Sequence, residues 1–437
     1  MKSREPMVMP STSYKWFGLV LLMLIGLTNY MDRLSISILQ VPIKADLGLT
    51  DTQLGAITGL SFSLVYTLAA IPIARMSDRR SPKLVIIICL IAWNALTMLC
   101  GLAESFLALA ILRMGVAIGE AGCAPTSQAL IAGYFPPHQR GRAIAMWQMV
   151  FPLGSLIGIF GSGVLSAALG WRQTFFVLGG VGLLVVPLVL AFLKEPPRAE
   201  PPQAAGAPIE PGDGTMKVLR ALLTLRGYRL LLAAGFMAAI PLNAVLNWNA
   251  PFYGRSYSLP IQEVSYVVAL TAGVGGILGM IGGGFVSDIL GRRDQRWYCW
   301  FPAIAVGVAP AFAMAQFLLA PSLSLSLLAG VICAILLNCW MPPQAALGQL
   351  VVNPADRALS AACIVVTAGL GAAAGPFLTG ILSDMIAGWT LDSDNALAIA
   401  LTLVSLTALP ASLLFVLSSV YLREDIARAQ AHQMYAG

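Results

Sequence analysis

The sequence predicts an all-α integral membrane fold, with twelve transmembrane helices in two pseudo-symmetric six-helix bundles, and three observations carry that prediction. Hydrophobic residues make up 58% of the chain and charged residues only 11%, giving a mean hydropathy of +0.81, whereas a soluble domain carries about 25% charged residues. Twelve apolar stretches approach or exceed the roughly 20 residues a helix needs to cross a bilayer, and a polar linker divides them six and six. The two sets also repeat one another at a fixed offset. With 437 residues, little chain is left for a soluble domain, so function must be housed in the spans.

Windows of about 19 residues place spans near 17–41, 51–73, 83–102, 106–133, 140–166 and 173–193, then near 228–250, 262–287, 298–319, 322–350, 358–385 and 395–421. The first follows Lys2, Arg4 and Lys15, as a signal peptide would. It is too long and too charged for one and lacks a small-x-small cleavage site, so it is read as a retained span. "KEPPRAEPPQAAGAPIEPGDG" (194–214) lacks an apolar period and reads as a flexible linker. The chain therefore divides into a first bundle at 1–193, a linker at 194–227 and a second bundle at 228–437. Seven cysteines lie in or beside apolar stretches without ligand-like spacing, which predicts neither disulfides nor a metal site.

The net charge of +6 is explained by topology rather than nucleic acid. With a cytoplasmic N-terminus, 21 of the 26 Lys and Arg fall on one side of the membrane. Lys44, Arg172 and Arg255 fall on the other, and Arg33 and Arg113 lie inside spans. This positive-inside pattern places the linker and both termini in the cytoplasm, with the chain expected as a monomer among membrane lipids.

Adding 217 maps Pro125 to Pro342, Pro137 to Pro354, Arg140 to Arg357, Gly154 to Gly371, Gly158 to Gly375 and Gly163 to Gly380. Internal repeats of this kind mark transporter folds. The turns "ARMSDRRSPK" (74–83) and "GFVSDILGRR" (284–293) match at a slightly different offset. Together these features resemble the major facilitator superfamily over essentially the whole chain, although Ala74 replaces a usual glycine and Ser81-Pro82 a Gly-Arg pair. The resemblance implies two halves around a central cavity with a site near the midplane. Asp78, Arg79 and Arg140, with the echo at Asp288 and Arg292, are then expected to form a cytoplasmic gate. The alternative is a solvated topogenic loop.

Four charges lie inside the first bundle: Asp32 and Arg33 in "NYMDR", and Arg113 and Glu120 in "RMGVAIGEAG". Each would cost about 2.5 to 3.5 kcal/mol at mid-membrane, on the order of 10 kcal/mol for four facing lipid. They must face the interior. Arg113 and Glu120 are two helical turns apart on one face, while Asp32 and Arg33 point roughly 100 degrees apart, so Asp32 needs a partner on another helix. The expectation is a neutral cluster between spans 1 and 4. It has no copy in the second half: Arg113 maps to Gly330 and Glu120 to Leu337, and span 7 offers only Asn243, Asn247 and Asn249.

Burial favours the neutral carboxyl and a nearby arginine the ionised one. Asp32 and Glu120 are accordingly expected to carry protons, with Arg113 as the switch; the alternative is a structural lock. "NYMDR", the stretch from Pro42 to Gly55, "RMGVAIGEAG" and "FPPHQRGRA" (135–143) resemble the bacterial branch of the Spinster family. That resemblance implies a proton-coupling role for Asp32, with Arg113 and Glu120 as its partners. Animal members move lysophospholipids and sphingosine phosphate. Anion:cation symporters share the charged pattern and carry sugar acids, which leaves a second substrate class open.

Arg33 is expected to grip an anionic headgroup or else pair with Glu120, and Arg113 to share in that grip. Asn243, Asn247, Trp248, Asn338 and Trp340 mix amides with aromatic faces, suited either to an amphipathic ligand or to interhelical packing. The glycines of spans 5 and 11 suit close helix packing. The only two histidines, His138 and His432, lie in a loop and the tail, so no enzymatic nucleophile–base set is expected, and the proton is the only cofactor.

Overall fold

The structure is a computed structural model that describes residues 12–196, 213–352, 357–390 and 393–435. Every regular element among them is helical. Twelve helices are long and apolar enough to cross a membrane. In the first half these are Tyr14–Leu47, Asp51–Ser77, Pro82–Cys100, Phe106–Tyr134, Gln139–Leu169 and Trp171–Phe192. In the second they are Arg226–Ser256, Ile261–Gly291, Trp297–Leu319, Leu323–Leu350, Leu359–Trp389 and Asn395–Leu422. They are spans 1 to 12 below.

Most of the expected linker, 197–212, lies outside the described residues. Its end differs from expectation: Asp213–Thr224 is a helix, short and partly polar, which an apolar window passes over. Span 1 also outruns its apolar core, carrying Pro42 within the helix and ending at Leu47.

Local chemistry sets the boundaries. Thr50 caps span 2 in a reciprocal box with Gln53, and Ser81 caps span 3 with Pro82 at the first helical position. Gly170, at φ +83, makes the tight turn between spans 5 and 6. Leu68, Leu107, Leu184, Ile281, Phe285 and Val420 are exposed on the helix surfaces, as lipid-facing positions should be.

By compactness the chain forms two units, one of Met1–Pro42 with Val65–Ala207 and one of Ile43–Leu64 with Pro208–Gly437. Residues 43–64 belong to the first repeat in sequence yet pack within the second unit. Inside the first unit, Leu22, Ile25, Trp93, Leu109, Val116 and Leu130 are fully buried. A core of Tyr228, Leu231, Cys299, Val306, Trp340 and Phe415 holds the second.

Glycines fix the helix contacts that orient the charges. A Cβ at Gly154 would lie 2.7 Å from the Tyr30 Cβ, and one at Gly158 would lie 2.6 Å from the Met31 Cα. Span 5 therefore lies directly on the backbone of span 1. Gly371 and Gly375 bring span 11 against the carbonyls of Phe236 and Ile240 in the same manner. Gly161, by contrast, has nothing within 4 Å. Gly158→Leu should destabilise the protein by about 2 kcal/mol or more, because backbone cannot move aside as a side chain can. Gly161→Leu should leave thermal stability in detergent unchanged or slightly raised. Equal losses in the two variants would contradict the packing assignment.

Candidate functional site

Span 4 presents two faces. Gly115, Gly119 and Gly122 let it approach span 3, where added Cβ atoms would meet Leu96, Trp93 and Cys89. Arg113 and Glu120 each lie two residues before one of these glycines, about 200 degrees round the helix. Close packing on span 3 therefore turns both charges away, toward span 1.

Two ion pairs form there. Arg113 Nη1 donates to Asp32 Oδ2 at 3.3 Å, and Arg33 donates to Glu120 Oε2 through Nε at 3.2 Å and Nη2 at 3.1 Å. Arg33 thus has the Glu120 pairing that the sequence left as one of two alternatives. One oxygen of each acid, Asp32 Oδ1 and Glu120 Oε1, is buried without a hydrogen-bond donor.

The two pairs differ in exposure. Arg113, Asp32 and Glu120 side chains are 1%, 3% and 0% exposed, whereas that of Arg33 is 22% exposed. Access to the cluster is through Arg33. Its guanidinium carbon lies 4.2 Å from the ring centre of Tyr66 and 5.1 Å from that of Tyr30, and Tyr30 packs edge-on against Phe151 at 5.1 Å. Aromatic faces hold the planar guanidinium by cation–π attraction. Neither tyrosine is singled out by the sequence; their positions three residues before Arg33 and on the adjoining span give only a weak signal.

The second half carries a neutral counterpart. Position 32 plus 217 is Asn249, which is buried and accepts from Gln316 Nε2 at 2.9 Å. A Cβ on Gly330, the counterpart of Arg113, would lie 3.0 Å from the Gln316 amide. Gln316 reaches from span 9 into the place where Arg113 stands in the first half, and Tyr253 and Ser326 extend the network. The offset that aligned the glycines could have found Asn249.

The remaining expected residues each hydrogen-bond or pack within the second half. Asn243 and Asn247 are half-buried and donate to carbonyls one turn back in their own helix, Ala239 and Asn243. Asn338 does the same toward Ala334. Trp248 and Trp340 take the packing role that the sequence left as one of two alternatives. Trp248 is fully buried with its N–H on the Pro376 carbonyl at 3.0 Å, and Trp340 is part of the apolar core; large rings among small residues fill helix crossings.

The expected gate falls only partly within the described residues. The Asp78 and Arg79 side chains lie outside them. Arg140 is exposed and donates to the Phe135 carbonyl at 3.0 Å. Asp288 accepts from Tyr298 at 2.7 Å, and no ion pair joins it to Arg292, one turn on at the helix end. Among the described residues, no group of three or more His, Cys, Asp or Glu is clustered as metal ligands would be.

Comparison with known proteins places this geometry among carriers. The Major Facilitator Superfamily profile matches residues 22–376. An MFS-type efflux pump of Mycolicibacterium smegmatis (strain ATCC 700084 / mc(2)155) is 33% identical over 94% of each chain. The hexuronate transporter of Bacillus subtilis (strain 168) is 28% identical over 68% of this chain and 70% of its own. The crystal structure of a bacterial homologue of the human lysosomal transporter Spinster, inward-facing and unoccupied, superposes with a TM-score of 0.86 at 26% identity, over 95% of this chain and 99% of that one.

Proposed function

The chain belongs to the Major Facilitator Superfamily, and from that premise we propose that it is a proton-coupled, alternating-access carrier of an anionic amphipathic substrate, such as a lysophospholipid or a sphingosine-phosphate-like lipid. That it is a multi-pass membrane transporter, and not an enzyme, follows from its fold and its relatives. Proton coupling rests on one observation above the others: Asp32 and Glu120 are buried acids, each with an oxygen that lacks a donor and each paired with its own arginine.

The geometry suggests how binding and protonation are linked. An arriving anion meets Arg33 first, since the other three charges are sealed. Drawing Arg33 away leaves Glu120 a buried acid without its cation, and it then takes up a proton. Arg113, released or engaged by Asp32, resets the pair. No prosthetic group enters this cycle. The chain acts as a monomer in a bacterial cytoplasmic membrane with both termini inside, the orientation its basic loops favour, and it engages no nucleic acid.

Two similarities bear on the substrate. The lipid cargo implied by the Spinster resemblance of the sequence favours the first reading, and the likeness to the bacterial Spinster homologue is in keeping with it, whereas the hexuronate transporter and the charged cluster support a second reading, proton-coupled symport of sugar acids. Binding of lysophosphatidylglycerol and of glucuronate to purified protein over about pH 5 to 8 separates them. Arg33→Lys should weaken binding of the true substrate about tenfold, because a single ammonium cannot replace the guanidinium fork between two rings, with little change in thermal stability. Equal loss of binding and folding would make Arg33 purely structural. Binding of glucuronate alone would favour the second reading.

A further inference from the structure

A groove runs between spans 9 and 12 of the second unit and encloses about 470 Å³. One stripe of span 9, at positions 297, 300, 304 and 308, forms one wall, since residues three and four apart share a helix face, and Val416 of span 12 stands opposite. Small residues make the floor. Ala303 is buried, and a Cβ on Gly307 would lie 2.8 Å from Ser412 Oγ. Ser412 donates to the Ala303 carbonyl at 2.7 Å, so its hydroxyl proton is already engaged. Ile304, Val308 and Val416 are 58%, 44% and 41% exposed, as residues that meet hydrocarbon should be.

One end of the groove differs in chemistry. Trp297, where span 9 begins, meets Trp300 edge-on at 5.5 Å, and the Trp300 N–H donates to Ser419 Oγ of span 12 at 2.9 Å. Indole rings in the first turn of a span sit at headgroup depth. The Arg296 guanidinium carbon lies 4.6 Å from the Trp300 ring centre. Its Nε and Nη2 donate to Asp294 Oδ2 at 3.0 and 2.8 Å. Nη1 has no partner among the described residues, and the side chain is 34% exposed. Arg292 and Arg293 of the same turn are exposed and form no ion pair among the described residues, so three arginines stand against Asp288 and Asp294.

We propose that this groove is a resident-lipid site that holds one phosphatidylglycerol, with an acyl chain lying along Ile304, Val308 and Val416 and the phosphate at Arg296. An acyl chain asks for no hydrogen bonds, and the lining offers almost none. A guanidinium stacked on an indole is oriented before the phosphate arrives, and its open edge suits phosphate oxygens. The excess of arginine in the turn favours an anionic headgroup over one that also carries an ammonium. Bound lipid bridges span 9 to span 12, so it stabilises the folded second unit by mass action. The site lies wholly within that unit and is independent of what the chain carries.

Native mass spectrometry of the full-length protein in mild detergent, with phosphatidylglycerol or phosphatidylethanolamine added, tests this. The parent should retain one phosphatidylglycerol per chain and hold phosphatidylethanolamine at least about fivefold less. Ile304→Trp fills the groove from an exposed position and should lower phosphatidylglycerol retention at least about tenfold. Arg296→Gln should lower it about fivefold, and serves if the first variant does not fold. Leu184→Trp, at a 72% exposed position of span 6, should leave retention unchanged. Thermal shifts on adding phosphatidylglycerol should follow the same order. Equal retention of the two lipids, equal loss in Leu184→Trp and Ile304→Trp, or retention within about twofold of the parent in the folded groove variants would overturn the site.

Discussion

Glu120→Gln should reduce substrate flux driven by an imposed pH gradient at least about a hundredfold, while substrate exchange across the same membrane without a gradient persists. Glutamine has the shape of a protonated glutamate, so the variant is fixed in one of the two states between which the cycle must alternate. Folding should survive, because the arginine it abandons, Arg33, is partly exposed and held between Tyr30 and Tyr66. Reconstituted vesicles with and without a gradient give both readings in one preparation. Gradient-driven flux within about threefold of the parent would remove Glu120 from the coupling route.

Arg113→Met should cost about 3 to 5 kcal/mol of stability, the usual consequence of leaving one member of a buried pair uncompensated. Asp32 has nowhere to hydrate: its side chain and that of Arg113 are both almost fully enclosed. Adding Asp32→Asn removes the stranded charge, so the double variant should recover at least about 2 kcal/mol relative to Arg113→Met. It should remain inactive in gradient-driven transport. Thermal unfolding of the four proteins in the cycle gives the coupling. If the double variant is as unstable as the single one, Arg113 acts through packing rather than through its charge on Asp32.

Much of this architecture was legible from residue chemistry. A bilayer imposes length and apolarity so strictly that spans are hard to miss, and the 217-residue repeat tied the glycines of span 5 to those of span 11, which pack alike. The four intramembrane charges also announced themselves through their cost. Which arginine meets which acid was not legible, since spacing along a helix fixes a face but not the angle at which neighbouring helices lie. For Trp248 and Trp340 the sequence left ligand contact and packing both open for a related reason: an aromatic beside amides looks the same in sequence whether its ring lines a site or fills a crossing. Lys44 and Arg255 were noted as topological exceptions, yet their meeting at Asp51 joins residues about 200 positions apart, beyond any local pattern.

The coupling of Asp32 and Glu120 to substrate movement is most directly tested by recording proton and lysophosphatidylglycerol flux together in vesicles reconstituted with the parent protein and with Glu120→Gln. The predicted result is proton movement in fixed ratio to lipid in the parent, with the proton component lost in the variant. Lipid flux in the parent that carries no protons and ignores the gradient would contradict it, and would return the charged cluster of spans 1 and 4 to a purely structural role.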